Sequence, residues 1–378
     1  MKIGILTQPL RTNYGGLLQA WALQNVLRTL GHSPITVDRH YDVKQTVARR
    51  IAGKAKRTLH DALLETQGKA LYCHHLAQIR ANQTRFIDAH IDCSTPIGTD
   101  SALRTFFSER QFDVIVVGSD QVWRPKYSPR LETYYLDFAK NLTGERPVLI
   151  SYAASFGVDT WEYTQQQTKI CHNLIQQFDG VSVREKSAVD LCRDHLGVEA
   201  QWVLDPTLLI EKEKYVSEFC TGAVGQSKGV LTYILDKSSF KKEIISSVAN
   251  RLKLEHFSRQ PLPEQPVVER TRLAEYCYPP TDAWVRGFQE GQFVVTDSFH
   301  GVVLSLIFEK PFIAIANADR GASRFESILD LVGLRDRLIL SDQEVDLERL
   351  LQPVDFSDAR KRLQFFKTKS LDFLKQHL

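Results

Sequence analysis

FVVTDSFHG, residues 293–301, runs an apolar strand straight into small polar residues and a histidine. Phe293, Val294 and Val295 read as a buried strand, Thr296 to Ser298 turn the chain, and VVLSLIF (302–308) reads as a helix. The next apolar run, KPFIAIAN (310–317), supplies a second strand. Strand, tight polar turn, helix and strand in succession make a parallel βαβ unit, whose strands are buried on both faces and so read as unbroken apolar runs.

The same pattern extends outward in both directions. Towards the N-terminus, KIGILT (2–7), SPITVD (33–38), FDVIVVGS (112–119), PVLISYAAS (147–155), GVSVRE (180–185) and QWVLDP (201–206) read as strands. A helix carrying Leu18, Trp21, Ala22, Asn25 and Val26 follows the first strand and stops near Gly31. Further helices are expected near 163–177 and 186–196. Residues 43–110 look helical, with poor strand signals, and read as an insertion. The polar stretch CTGAVGQSKG (220–229) looks like a linker, after which GVLTYILD (229–236) and helices near 238–252 and 281–289 restart the alternation. From Asp355 onward, Leu363, Phe366, Phe373 and Leu374 recur at roughly helical spacing, predicting an amphipathic closing helix.

The fold class that fits is α/β, with two Rossmann-like domains facing a cleft. The expected divisions are 1–220 with its insertion, 221–340, and a C-terminal extension over 341–378. A length of 378 residues exceeds one ordinary core, which agrees with two domains. The composition, 43% hydrophobic and 25% charged, is that of a globular protein. A formal net charge of +3 is too small to imply nucleic acid. The start, MKIGILTQPL, has no basic segment and cleavage site, and no apolar run approaches the ~18 residues of a spanning helix, so a cytoplasmic protein is expected. The six cysteines are scattered without a C-x-x-C pair, which suggests neither zinc nor a disulfide framework. Charge is concentrated in one place: Lys44 to Arg57 holds six Lys or Arg and no acid. With Val47, Ile51, Ala55, Leu59 and Leu63 every four residues, 44–65 is expected to form a basic helix that either lies peripherally on anionic membrane or packs on its own domain with a solvated basic face.

In open α/β sheets ligands bind beyond the carboxyl ends of the strands, so the strand tails carry the chemistry. His300 stands where a strand ends and a helix begins, beside backbone N–H groups suited to an anion. The alternative makes Thr296 to Ser298 a capping sequence and His300 a bystander. NADRGASRF (317–325) offers Arg320 and Arg324, whose planar forks suit phosphate and carboxylate. RTNYGGLLQAWALQ (11–24) opens a helix through Gly15 and Gly16, but matches neither the dinucleotide nor the P-loop fingerprint. GSDQVWRP (118–125) ends a strand in Ser119 and Asp120, with Trp123 able to stack on a sugar or simply pack. Arg184 sits just past a strand, with Glu185 read as the start of the next helix. LDPT (204–207) reads as a strand terminator, with Pro206 breaking the ladder.

These tails in this order resemble the polysaccharide pyruvyl transferase family, from NYGG (13–16) through GSDQVW, SYAASFG, SVRE and LDPT to TDSFHG and RGASRF. The first loop departs from the family's G-N-x-G-D form, having no acidic residue. The resemblance implies a GT-B-like pair of Rossmann-like domains and transfer of pyruvate from phosphoenolpyruvate to two hydroxyls of a sugar, forming a cyclic ketal. It implies His300 as general acid, with Asn13, Tyr14, Ser119, Asp120, Arg184, Ser298, Arg320 and Arg324 binding substrates. It requires no cofactor and no metal. The expected partners are phosphoenolpyruvate and a glycan or lipid-linked acceptor. Two other readings stand beside it. One is a GT-B glycosyltransferase using a nucleotide-sugar donor, with Asp297 the candidate ribose ligand; the other is an inactive glycan-binding relative.

Overall fold

The computed structural model describes residues 1–40, 64–221, 228–316, 321–340 and 345–378. Residues 44–63 of the basic helix expected at 44–65, most of the linker, and Arg320 lie outside these residues.

The apolar runs fold into two parallel sheets. The first takes β1 (Lys2–Leu6), β2 (Ser33–Val37), β4 (Val114–Val117), β5 (Val148–Ala154), β6 (Gly180–Val183) and β7 (Gln201–Trp202), in the order β2-β1-β4-β5-β6-β7. The second takes β8 (Lys228–Tyr233), β9 (His256–Ser258), β11 (Gly291–Thr296), β12 (Phe312–Ala316) and β13 (Leu338–Leu340), in the order β13-β12-β11-β8-β9. Every pairing within both sheets is parallel. Helices cover them, among them α1 (Tyr14–Thr29), α2 (Ala81–His90), α3 (Asp100–Arg110), α4 (Gln165–Ile175), α5 (Lys186–Leu191), α6 (Lys212–Phe219), α7 (Ser239–Leu252), α8 (Thr281–Glu290), α9 (Phe299–Ile307) and α10 (Ser323–Val332). Central strands such as β4 are inaccessible on both faces, which is why VIVV carries no polar alternation.

Two sequence expectations change. QWVLDP is not a full strand: pairing stops at Trp202, and Pro206 starts a short 3₁₀ turn over Pro206–Leu209. The insertion is not wholly helical, because β3 (Lys69–Leu71) pairs antiparallel with β10 (Val267–Glu269) of the second half. A three-residue strand has too little pattern to read until its partner is beside it. The closing helix α11 (Ser357–His377) buries Phe373 and Leu374 as expected, but it does so against the first sheet. Its Ser370 accepts the Leu204 N–H at 2.9 Å, and Phe373 packs on Tyr152.

Further contacts bind the halves. The Tyr14 ring stacks on Trp284 at 5.1 Å and its hydroxyl donates to the Pro279 carbonyl at 2.8 Å. Gln83 of α2 donates to the same carbonyl. Gly321, with φ +85°, lies so close to Gly157 that a Cβ there would fall 2.1 Å from the Gly157 carbonyl oxygen. The strand tails of the two sheets therefore meet. Among the described residues, no helix is long and apolar enough to cross a membrane, and no group of His, Cys, Asp or Glu is placed to hold a metal ion.

Candidate active site

His300 lies in the first turn of α9, after Ser298, which begins the helix without a side-chain cap. Thr296 instead accepts the Ser298 N–H at 3.1 Å and donates its own proton to the Tyr233 carbonyl. The first turn of α9 thus keeps its N–H ends uncapped by side chains, as an anion site requires. The ring of His300 is buried at 6% exposure. Its two edges face the other half of the molecule. Nε2 makes no hydrogen bond and lies 3.8 Å from Asp205 Oδ2. That distance is an electrostatic contact, too long for a hydrogen bond. Nδ1 faces Gly15 in the first turn of α1, where a Cβ would sit 2.0 Å away.

Asp205 is the hub of the site. It heads the 3₁₀ turn, where Pro206 fits because the first position needs no N–H donor. Its Oδ1 accepts from Thr207 N at 3.0 Å and Thr207 Oγ1 at 2.6 Å. Its Oδ2 accepts from Arg184 Nη1 at 2.8 Å and lies 3.2 Å from Ser119 Oγ. Burial alone would raise this carboxyl, but His300, Arg184 and Thr207 outweigh it and hold Asp205 well below the usual carboxylate range.

Arg184 is spread over three acids. Besides Asp205 it lies 3.4 Å from Glu185 and 3.6 Å from Asp120, with its guanidinium 4.5 Å from the centre of the Phe299 ring. Burial would lower it, but the three carboxylates more than compensate and keep it charged. One nitrogen, Nη2, is buried without a hydrogen bond, an orphan donor of the kind a ligand oxygen satisfies. Glu185 does not cap α5; it turns inward, accepting from Ser155 Oγ at 2.5 Å. Burial pushes its carboxyl up, against the pull of Arg184, Ser155 and Arg324. Arg324, in the first turn of α10, is pushed down to about 10 by burial and then by the like charge of Arg184. Two guanidiniums held this close favour an anion between them.

A family model described as polysaccharide pyruvyl transferase matches residues 13–320. The chain belongs to that family. No curated protein sequence matches it. Among solved structures, Arabidopsis thaliana UGT89C1 complexed with UDP-L-rhamnose is similar at 11% identity and TM-score 0.53, the match covering 100% of this chain and 99% of that one. A Listeria monocytogenes protein described as a UDP-N-acetylglucosamine 2-epimerase is similar at 11% identity and TM-score 0.50, over 100% and 91% of the two chains. At such identity the likeness shows the fold alone, which is GT-B-like: two α/β units with their strand tails facing.

The fold of this family member brings Ser119, Asp120, Arg184, His300 and Arg324 into one cluster. Ser298 is buried beside it at the start of α9. Asn13 is exposed at the head of α1 and does not cap it. The ring and hydroxyl of Tyr14 both engage the second half. Asp297, the ribose candidate of the glycosyltransferase reading, is committed as well: it accepts from Leu235 N, Asp236 N and Lys241 Nζ. Trp123 packs, stacked on Tyr135 with its N–H on the Tyr134 carbonyl. Asp205 and Glu185 are the residues that sequence reasoning missed. An aspartate preceding proline and a glutamate preceding a helix have such ordinary local uses that nothing nearby in sequence marks them.

Proposed function

We propose that this family member transfers pyruvate from phosphoenolpyruvate to two hydroxyls of a sugar, in a cell-surface polysaccharide or its lipid-linked precursor. The observation that carries the reading is His300. It is a buried histidine at an uncapped helix start, and it shares Asp205 with Arg184. Phosphoenolpyruvate brings a phosphate and a carboxylate, which suit Arg184 Nη2, where no hydrogen bond is made, the fork of Arg324 and the N–H groups of α9. Arg320, four residues before Arg324 in the sequence, is proposed as a further anion ligand. Ser119 and Asp120 act from beneath, holding Asp205 and Arg184 in place.

The chemistry follows from these groups. His300 as imidazolium protonates the methylene carbon, leaving the adjacent carbon electron-poor. One sugar hydroxyl adds there and gives up its proton to the now neutral His300. The C–O bond to phosphate then breaks, phosphate leaving with the bonding pair, and the second hydroxyl adds to the resulting oxocarbenium carbon and passes its proton to the released phosphate, closing the ketal. A positioned acid contributes about 10²–10⁴-fold, and holding both reactants together up to roughly 7–11 kcal/mol. No metal or cofactor enters this scheme.

Incubation with phosphoenolpyruvate and candidate lipid-linked glycans tests the reading, with phosphate release and glycan mass followed together. Phosphate release with a pyruvyl mass retained on the glycan supports it. Activity only with a nucleotide-sugar would overturn it.

A further inference from the structure

We infer that Asp205 is the positioning residue for His300, and that it acts from the opposite half of the molecule. The inference rests on the pyruvyl-transfer reading above. His300 is carried by α9, yet the groups that face its ring nitrogens come from the first half: Asp205 Oδ2 at 3.8 Å from Nε2, and Gly15 beside Nδ1. Asp205 is itself immobilised. Thr207 holds one oxygen, while Arg184 and Ser119 hold the other, and the residue is 1% exposed. A carboxylate fixed this way gives the imidazolium a single preferred orientation. Nε2–H is aimed at Asp205, and Nδ1–H is left to supply the proton.

Gly15 completes the arrangement, because a side chain there would cover the Nδ1 edge. A closing movement of roughly 1 Å would bring Nε2 into hydrogen-bond range of Asp205. Distances of this kind often tighten only when substrate is bound. The consequence is that the acid is assembled only when the two halves meet, so proton transfer is tied to donor enclosure.

The test is Asp205→Asn in the full chain, with steady-state phosphate release from phosphoenolpyruvate. Arg184 keeps Glu185 and Asp120 as partners, so donor binding should survive. A positioning role predicts a kcat lower by about 10²-fold, the cost of a misplaced reacting group, with the KM for phosphoenolpyruvate near the wild-type value. A purely structural role predicts the reverse: a raised KM or a lower folded fraction, with kcat per folded molecule retained. Thr207→Val is the second variant, in case Asp205→Asn does not fold. It removes the Oγ1 bond to Asp205 but keeps the charge, and should lower kcat several-fold at constant KM. If both folded variants turn over like wild type, the inference fails while pyruvyl transfer stands. If wild type itself never consumes phosphoenolpyruvate, the functional reading fails and takes the inference with it.

Discussion

Gly15→Ala asks the most of the geometry. A Cβ at this position would lie 2.0 Å from His300 Nδ1, 2.3 Å from Cγ and 2.8 Å from Cε1. Ordinary contact begins near 3.4 Å, so the ring must retreat by about 1.4 Å or swing to another rotamer. Either movement takes Nδ1 away from its place at the meeting of the two halves. A misplacement of about 1 Å can cost roughly 10²-fold, and turnover should fall at least that far. The fold should survive. Gly15 lies in a helix, where alanine gains up to about 1 kcal/mol over glycine, against an overpacking cost of about 1–3 kcal/mol. The net loss, about 0–2 kcal/mol, is well inside the 5–15 kcal/mol of a typical domain. Single-turnover phosphate release, with thermal melting on the same preparation, reads both quantities. A folded Gly15→Ala protein that keeps most of its turnover would refute the placement of His300 against α1.

Three further outcomes follow from the same contacts. His300→Gln should fold and still bind phosphoenolpyruvate, with turnover down by at least about 10²-fold; lowered stability with near-normal turnover would return His300 to a packing role. Tyr14→Phe removes a hydroxyl that bonds the Pro279 carbonyl, so urea unfolding should show a loss of about 0.5–1.5 kcal/mol with both substrate KM values unchanged; a raised KM at unchanged stability would place Tyr14 back among the substrate ligands. The folded Asp205 carboxyl sits below its unfolded value of about 3.9, so its stabilisation is present above about pH 4 and lost as pH falls below that. Wild type should therefore lose more stability between about pH 6 and pH 3 than Asp205→Asn does, and equal losses in urea titrations would contradict the assigned ion pair.

Much of the scaffold was legible because burial leaves a local mark. β1, β4, β5, β11 and β12 lie in the middle of their sheets, and a strand covered on both faces is apolar over most of its length. The helix start at Ser298 and the closing helix at 357–377 are equally local, written in small polar residues and in helical spacing. The three-residue strands β3, β9, β10 and β13 carry no such mark, being strands by virtue of a neighbour.

The histidine and the two arginines within the described residues stand on strand tails, so sequence order alone placed them at the carboxyl ends of parallel strands, where ligands bind. Which of them touch was not decided there. Asp205 matters through Ser119, Arg184, Thr207 and His300, and all but Thr207 are distant in sequence. Glu185 matters through Ser155 and Arg324 in the same way. Tyr14, next to Gly15 in sequence, faces Trp284 and Pro279 instead. Secondary structure follows from short-range spacing of apolar and polar side chains, which a sequence displays directly. The electrostatics of a buried carboxylate depend on which charges the fold brings within about 4 Å, and that is set only when the two sheets meet.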